Sequence, residues 1–255
     1  MNPVADHCRV DADDNLLIRW PVPLPDGERI VLRHGSSGAV RTEALTGDRR
    51  SVTLPVGGLA TGAWDVLLDM DRPLLTDDPG FSLDGLRAYA GRPRDLAVRV
   101  VRRPDGQATL NVRKVAPHAE VEAVHPRDGE ITITGLLAYA GPPPGEGARL
   151  VAAARQSEGT VTRDARLDGT EFHAGLDVSA LAAWEPALWD LWLDAGDVHA
   201  RLATFLDDAP GKRGTLSYPR QVTASGDREM TVRPYYTLKD ELSIACHLLA
   251  EDDGT

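Results

Sequence analysis

The chain alternates. "NLLIRWPV" sets Leu16, Ile18 and Trp20 on one side of an extended segment, and "GERIVLRH" does the same with Ile30 and Leu32. "ATLNVRKV" sets Leu110 and Val112 against Asn111 and Arg113, and "AEVEAV" sets Val121 against Glu120 and Glu122. "GEITITG" places Ile131 and Ile133 against Glu130, Thr132 and Thr134. "DELSIACHLL" places Leu242, Ile244, Cys246 and Leu248 against Ser243, Ala245 and His247. Period two is the spacing of a strand with one buried face, because successive side chains leave the pleated backbone on opposite sides. Between these runs stand "PLPDGE", "HGSSG", "RRPDGQ", "HPRDGE", "AGPPPGEG" and "ASGD", which join residues that preset a turn to residues that tolerate positive φ. Many short antiparallel strands at this spacing predict an all-β sandwich or barrel.

Helical spacing is rare. "DVSALAAWEPALWDLW" allows one short turn capped by Asp177 or Ser179 and stopped at Pro186, whose ring removes the backbone donor. "GFSLDGLRAYAG" reads as a loop with at most one turn.

The alternation repeats over long range. "GAWDVLLD" returns as "ALWDLWLD", with Trp64 mapping onto Trp189 at an offset of 125. Leu16 maps onto Ile131 (offset 115), Ile30 onto Leu150 (120), Val112 onto Val232 (120) and Val121 onto Leu242 (121). An ordered series with strand phase preserved predicts two tandem immunoglobulin-like antiparallel β-sandwiches related by internal duplication. The Pro/Gly/charge break at "HPRDGE" puts the first over residues 1–126 and the second over 127–255. "GLRAYAG" and "GLLAYAG" are out of register with this repeat and are set aside as a shared loop type.

The repeat bears on Asp65 and Asp190, each of which directly follows a tryptophan. Trp64, Val66 and Leu68 share one face, as do Trp189, Leu191 and Leu193, so the two tryptophans are expected in the cores and the two aspartates opposite them. A catalytic acid is not usually duplicated at one strand position, so both read as structural.

Composition narrows function by exclusion. Hydrophobic residues make up 42% of the chain and the mean hydropathy is -0.26, ordinary for a globular protein. The net charge of -11 argues against a broad nucleic-acid surface, which needs clustered positive charge. No apolar run is long enough for a membrane span, and the first residues lack the basic start and apolar core of a secretory signal. Two cysteines, Cys8 and Cys246, form no metal-type pair; their scarcity predicts a reducing, cytoplasmic setting, with a single disulfide between them as the alternative. The excess of Ala, Arg, Gly and Asp is associated with a high-GC bacterial source.

Enzyme motifs are not found. The seven histidines lack ligand spacing. "HGSSGAV" and "TASGD" lie in strand-to-strand turns, where a nucleophile elbow needs a following helix. "LPVGGLATG" lacks the Lys-Ser/Thr of a phosphate loop, and "AGPPPGEGAR" is too rich in proline to present a row of N–H groups. "LLTDDPG", "FLDDAPG" and "AEDDG" lack the alternating ligands of a calcium loop. No catalytic residue, metal or cofactor is expected. One constellation stands out: Arg113 in "NVRK" and Arg233 in "TVRP" map onto each other, and Tyr235, Tyr236 and Lys239 follow Arg233. Arginine offers a planar fork to phosphate or carboxylate, and tyrosine a ring and a hydroxyl. Ion pairing and sheet covering are the structural alternative. Trp192, in phase opposite to Trp189, is expected as an exposed or interface aromatic.

"GAWDVLLD", "ALWDLWLD" and "VRPYYTLKDELSI" resemble motifs of the β-sandwich modules attached to actinobacterial cell-wall polymer transferases, the teichoic-acid-type glycosyl- and glycerophosphotransferases. In those modules a G-x-W-D strand precedes a basic strand and an R-P-Y-aromatic-T segment. The resemblance implies a non-catalytic module that binds cell-wall glycan or polyol-phosphate polymer, or mediates assembly as a homo-oligomer or with a transferase. It marks Arg233, Tyr235 and Tyr236 as the positions to test. The first half departs from the pattern: "VRKVAPHAEV" lacks the aromatic pair. An enzyme with an unrecognised loop site and a purely structural interaction module are the alternatives.

Overall fold

The computed structural model describes residues 3–45, 47–143, 147–184, 186–206, 209 and 211–249. "AEDDG" and parts of "FLDDAPG" and "AGPPPGEG" lie outside the described residues. The chain divides into two compact units, Met1–Ala116 and Pro117–Thr255. The division precedes the break expected at residue 126. "HPRDGE" is instead a hairpin turn inside unit 2, where Asp128 and Gly129 take the positive φ values of 55° and 79° that a tight reversal requires.

Unit 1 runs β1 (Val4–Ala5), β2 (His7–Val10), β3 (Asn15–Arg19), β4 (Arg29–His34), β5 (Val40–Ala44), β6 (Ser51–Pro55), β7 (Gly62–Leu68), β8 (Arg72–Pro73), β9 (Leu75–Thr76), α1 (Leu83–Ala90), β10 (Leu96–Arg102) and β11 (Ala108–Lys114). One sheet orders β2-β3-β6, and a second orders β10-β11-β7-β4-β5 with β8 on β7. Leu16, Ile18 and Leu54 from the first join Ile30, Leu32, Trp64, Val66 and Leu110 from the second in one core, as alternation requires of two sheets with apolar inner faces. The Trp64 indole N–H donates to the Ala60 carbonyl at 2.9 Å. At Gly62, where φ is +130°, a Cβ would lie 2.6 Å from His34 Nε2, so glycine starts this strand by necessity. α1 is longer than the single turn expected. Ser82 Oγ accepts the Gly85 N–H at 3.2 Å, and buried Tyr89 ties the helix down by donating to Asp14 and accepting the Val98 N–H.

Unit 2 runs β12 (His118–Arg127), β13 (Glu130–Ala138), β14 (Ala148–Ala154), β15 (Thr160–Asp168), β16 (Glu171–Asp177), α2 (Val178–Ala182), β17 (Ala187–Ala195), β18 (Val198–Ala203), β19 (Gln221–Ser225), β20 (Arg228–Tyr236) and β21 (Leu242–Leu248). Its sheet orders β14-β15-β16-β13-β12-β18-β17, and β17 pairs back onto β14. The expected open sandwich is therefore a closed seven-strand ring, with β21, β20 and β19 branching from β17. Closure follows from length: β15 pairs with β14 through Thr160–Ala165 and reaches β16 through Ala165–Asp168. Trp189, Leu150, Ile133, Leu176 and Ile244 fill the core.

The two units repeat a pairing scheme. Ile30 pairs with Leu68, and Leu150 with Leu193, so the mapping of Ile30 onto Leu150 and of Trp64 onto Trp189 keeps register. β7 takes β11 along its first half and β8 along its second; β17 takes β21 and β18 likewise. Leu16 on β3 and Ile131 on β13 also correspond, each pairing with a leucine of the adjoining strand, Leu54 and Leu176, but the Val112–Val232 and Val121–Leu242 mappings do not hold. β11 pairs with β7, whereas β20, which carries Val232 and Arg233, pairs with β21 and not with β17. Val121 lies on the first strand of its unit and Leu242 on the last. Leu110 and Ile244 are the residues opposite the two tryptophans. Counting one strand outward, the counterpart of Arg233 is Arg99, paired with Asn111 as Arg233 is with Ala245. "TLNVRK" and "MTVRPY" resemble each other because any half-buried strand alternates in this way.

Candidate ligand-binding groove

The outer faces of β17, β21 and β20 form rows. Asp190, Ser243 and Tyr235 make one, and Leu188, Ala245 and Arg233 the next. Ala245 is the small residue in the middle of its row, and a hollow follows from its size. A groove of about 610 Å³ opens there, lined by Arg155, Arg213 and Arg233, by Tyr235 and His247, and by Leu188, Leu216 and Pro234. Among the described residues the lining holds no carboxylate, in a chain whose net charge is -11.

The wall carrying Arg213 and Leu216 is pinned by one carboxylate. Asp240 accepts the backbone N–H of Gly211 at 2.9 Å and of Lys212 at 2.8 Å. Burial works to raise the Asp240 carboxyl, but these two donors and the Lys212 charge outweigh it and hold the group below its ordinary range. A short bridge between Arg213 and Leu216 closes the turn.

Beside the groove, Asp190 is a hub. Its Oδ1 accepts from Arg155 Nε at 2.9 Å and Nη2 at 2.8 Å, from Arg201 Nη2 at 2.7 Å, and from the Ser243 hydroxyl at 3.1 Å. Burial opposes the Asp190 charge, yet the Arg155 hydrogen bonds and the Arg201 charge hold its carboxyl low. The Asp190 bond in turn raises Arg155. Arg155 is thus neutralised, whereas the guanidinium groups of Arg213 and Arg233 have no ion pair or hydrogen bond among the described residues. The Tyr235 hydroxyl is shielded from solvent and likewise lacks a hydrogen-bond partner among them.

The structure brings Arg233 and Tyr235 together and separates the other expected residues. Tyr236 borders the groove but is 3% exposed and belongs to the core. It faces the opposite side of β20 from Tyr235 because adjacent strand residues must. Lys239 is exposed in the turn after β20 and does not line the groove. Arg113 lies in unit 1, at the end of β11. Trp192 shares the outer face of β17 with Leu188 and Asp190 but is half-buried: it stacks on His199 at 4.3 Å between ring centroids, 10° from parallel, with Arg201 5.4 Å from its ring. Arg155, Arg213 and His247 escaped the sequence reading. His247 was legible as an outward residue of its strand, whereas Arg155 and Arg213 stand at strand ends or in turns where periodicity says nothing.

Neither thiol is available for chemistry. Cys8 and Cys246 are free and buried, and burial pushes them up to about 12 and about 11. Among the described residues no group of three or more His, Cys, Asp or Glu is arranged to hold a metal ion, and no helix is long and apolar enough to cross a membrane.

No family model and no curated protein matches the chain. Among solved structures, it is similar to a fragment of Staphylococcus aureus TarS, residues 217–571, at a TM-score of 0.42 and 13% identity over 64% of this chain and 49% of that one. A longer TarS structure gives 0.42 and 12% over 66% of this chain and 32% of that one. The chain therefore spans about half of the first and a third of the second. A two-domain fibronectin type III segment of chicken tenascin gives a TM-score of 0.23 at 12% identity, over 78% of this chain and 95% of that one. Likenesses this distant carry no inference about ligand or activity.

Proposed function

We propose that the chain is a non-catalytic module that binds an anionic cell-wall polymer, a polyol phosphate or an acidic glycan, in the groove of unit 2, and serves a cell-envelope polymer transferase in the cytoplasm. The observation that carries this reading is charge placement. A strongly acidic chain gathers three arginines around one groove whose described lining holds no carboxylate, and the guanidinium groups of two of them have no partner among the described residues. Unpaired guanidinium groups offer bidentate recognition of phosphate or carboxylate oxygens. Leu188, Leu216, Pro234 and the Tyr235 ring supply an apolar floor for the carbon skeleton between charges. The pairing scheme common to the two units supports descent from one immunoglobulin-like sandwich by tandem duplication, with 1–116 and 117–255 as its products. The first copy then has Asn111 where the second has Ala245, so the copies are not equivalent in binding.

The test is retention of a glycerol-phosphate polymer, measured against a neutral glycan, by the intact chain and by the Arg213→Ala/Arg233→Ala variant. Binding should weaken as salt rises. The variant should lose roughly a hundredfold, at about 1.4 kcal/mol per charge-assisted contact. Tyr236→Ala is unsuited to this test because it opens the core. Absence of binding by the intact chain, or unchanged binding by the double variant, rejects the proposal.

A further inference from the structure

β5 ends the second sheet of unit 1, and all five of its residues, Val40 to Ala44, are exposed. Its counterpart in unit 2 is β15, which likewise follows the strand paired to the tryptophan strand. β15 continues onto β16 and leaves no edge there, whereas β5 pairs only with β4 among the described residues. Its outer edge is therefore a row of unpaired backbone groups, a template for another strand.

Register identifies which groups these are. The His34 N–H donates to the Ala39 carbonyl at 2.8 Å, and the Leu45 N–H to the Glu28 carbonyl at 3.3 Å. Antiparallel ladders alternate bonded and non-bonded pairs, so Arg41 and Glu43, opposite Leu32 and Ile30, also spend their backbone groups on β4. The N–H and C=O groups of Val40, Thr42 and Ala44 point outward.

We infer that this edge pairs with the same edge of a second copy of the chain, β5 antiparallel to β5 about a two-fold axis at Thr42. In that register Thr42 bonds Thr42 of the other copy, and Val40 and Ala44 bond each other's counterparts, which satisfies every outward group. Arg41 then lies opposite the Glu43 of the other copy, and Glu43 opposite its Arg41. These are non-bonded pairs, the closer kind, with Cα atoms about 4.5 Å apart, where opposite charges attract across strands. Charges on an edge strand ordinarily repel a second strand. "VRTEA" instead reads as its own complement when reversed, as the self-complementary surface of a two-fold dimer must. This inference is independent of the groove.

Sedimentation equilibrium from micromolar to millimolar protein tests it. The mass should climb from 27.5 kDa toward the dimer. Glu43→Arg or Arg41→Glu alone sets like charges opposite each other and should weaken association at least about tenfold. An equimolar mixture of the two variants restores both attractive pairs and should associate again, as should the double swap Arg41→Glu/Glu43→Arg. Circular dichroism checks that each variant is folded. A wild-type mass that stays monomeric, association unchanged by the reversals, or failure of both the mixture and the double swap to recover it overturns the inference.

Discussion

Asp190 and Arg201 meet at 2.7 Å beside the groove, and the same carboxylate oxygen serves Arg155 and Ser243. The register counterpart, Asp65, keeps a similar 31% of its side-chain exposure but has, among the described residues, a single charged partner, Arg33, at 3.4 Å. The same strand position therefore carries two different loads. Asp190→Asn should cost about 2–3 kcal/mol, less than the 3–5 of a fully buried pair because Asp190 keeps 29% of its side-chain exposure. Asp65→Asn should stay within about 0.5 kcal/mol. Urea unfolding of both variants measures the contrast, and equal costs would refute it.

The core tryptophans should be the costliest single truncations. Trp64→Ala and Trp189→Ala are each expected to lose about 3–5 kcal/mol. Trp189 lies at 0% exposure and Trp64 at 5%, so thermal unfolding should rank Trp189→Ala lower.

The two adjacent tyrosines should behave oppositely. Tyr235→Phe removes a buried hydroxyl that has no partner among the described residues, so stability should hold or rise by up to about 1 kcal/mol. Tyr236→Ala empties a core position and should cost about 3–5 kcal/mol. Denaturation midpoints of the pair decide the matter.

Acid should weaken the fold through three carboxylates. Burial works to raise Asp78, Asp190 and Asp240, but their donors and cations prevail and hold all three below the ordinary carboxylate range. Groups lower in the folded than in the unfolded chain bind fewer protons when folded, so their contribution is complete above about pH 5 and fades as pH falls through the ordinary carboxylate range and below. Asp78 takes Arg9 at 2.8 Å and the Gly80 N–H at 2.9 Å, and Asp78→Asn should flatten the acid limb in unit 1. Unfolding free energy measured from pH 7 down to pH 2 checks the slope.

Both thiols should be silent toward a thiol reagent in native buffer and react as two equivalents in denaturant, since Cys8 and Cys246 are free and fully buried. Fast labelling of the folded chain would contradict this.

Alternation along the chain was enough to place β3, β4, β7, β11, β12, β13, β17 and β21 with their inner faces, the tryptophan cores and the matching of Trp64 with Trp189, because period two records which side of a pleat is dry. It did not mark β5, β10, β15, β16 or β18. It misaligned Arg113 with Arg233, since adjacent strands of one sheet carry the same alternation and only hydrogen-bonded register tells them apart. It marked Arg233 and Tyr235 by residue type, but it could not reveal that Ala245 leaves a hollow beneath them or that Arg155 and Arg213 converge on it from outside the strand. Nor could it show that β15 closes a ring while β5 leaves an edge, because closure depends on how far a strand extends past its first partner. By itself the sequence determined two β units with apolar interiors, through burial that each strand encodes locally. Only the tertiary structure decided which outward residues share a groove, which carboxylate carries a network and which edge is open, because these depend on contacts between segments far apart in the chain.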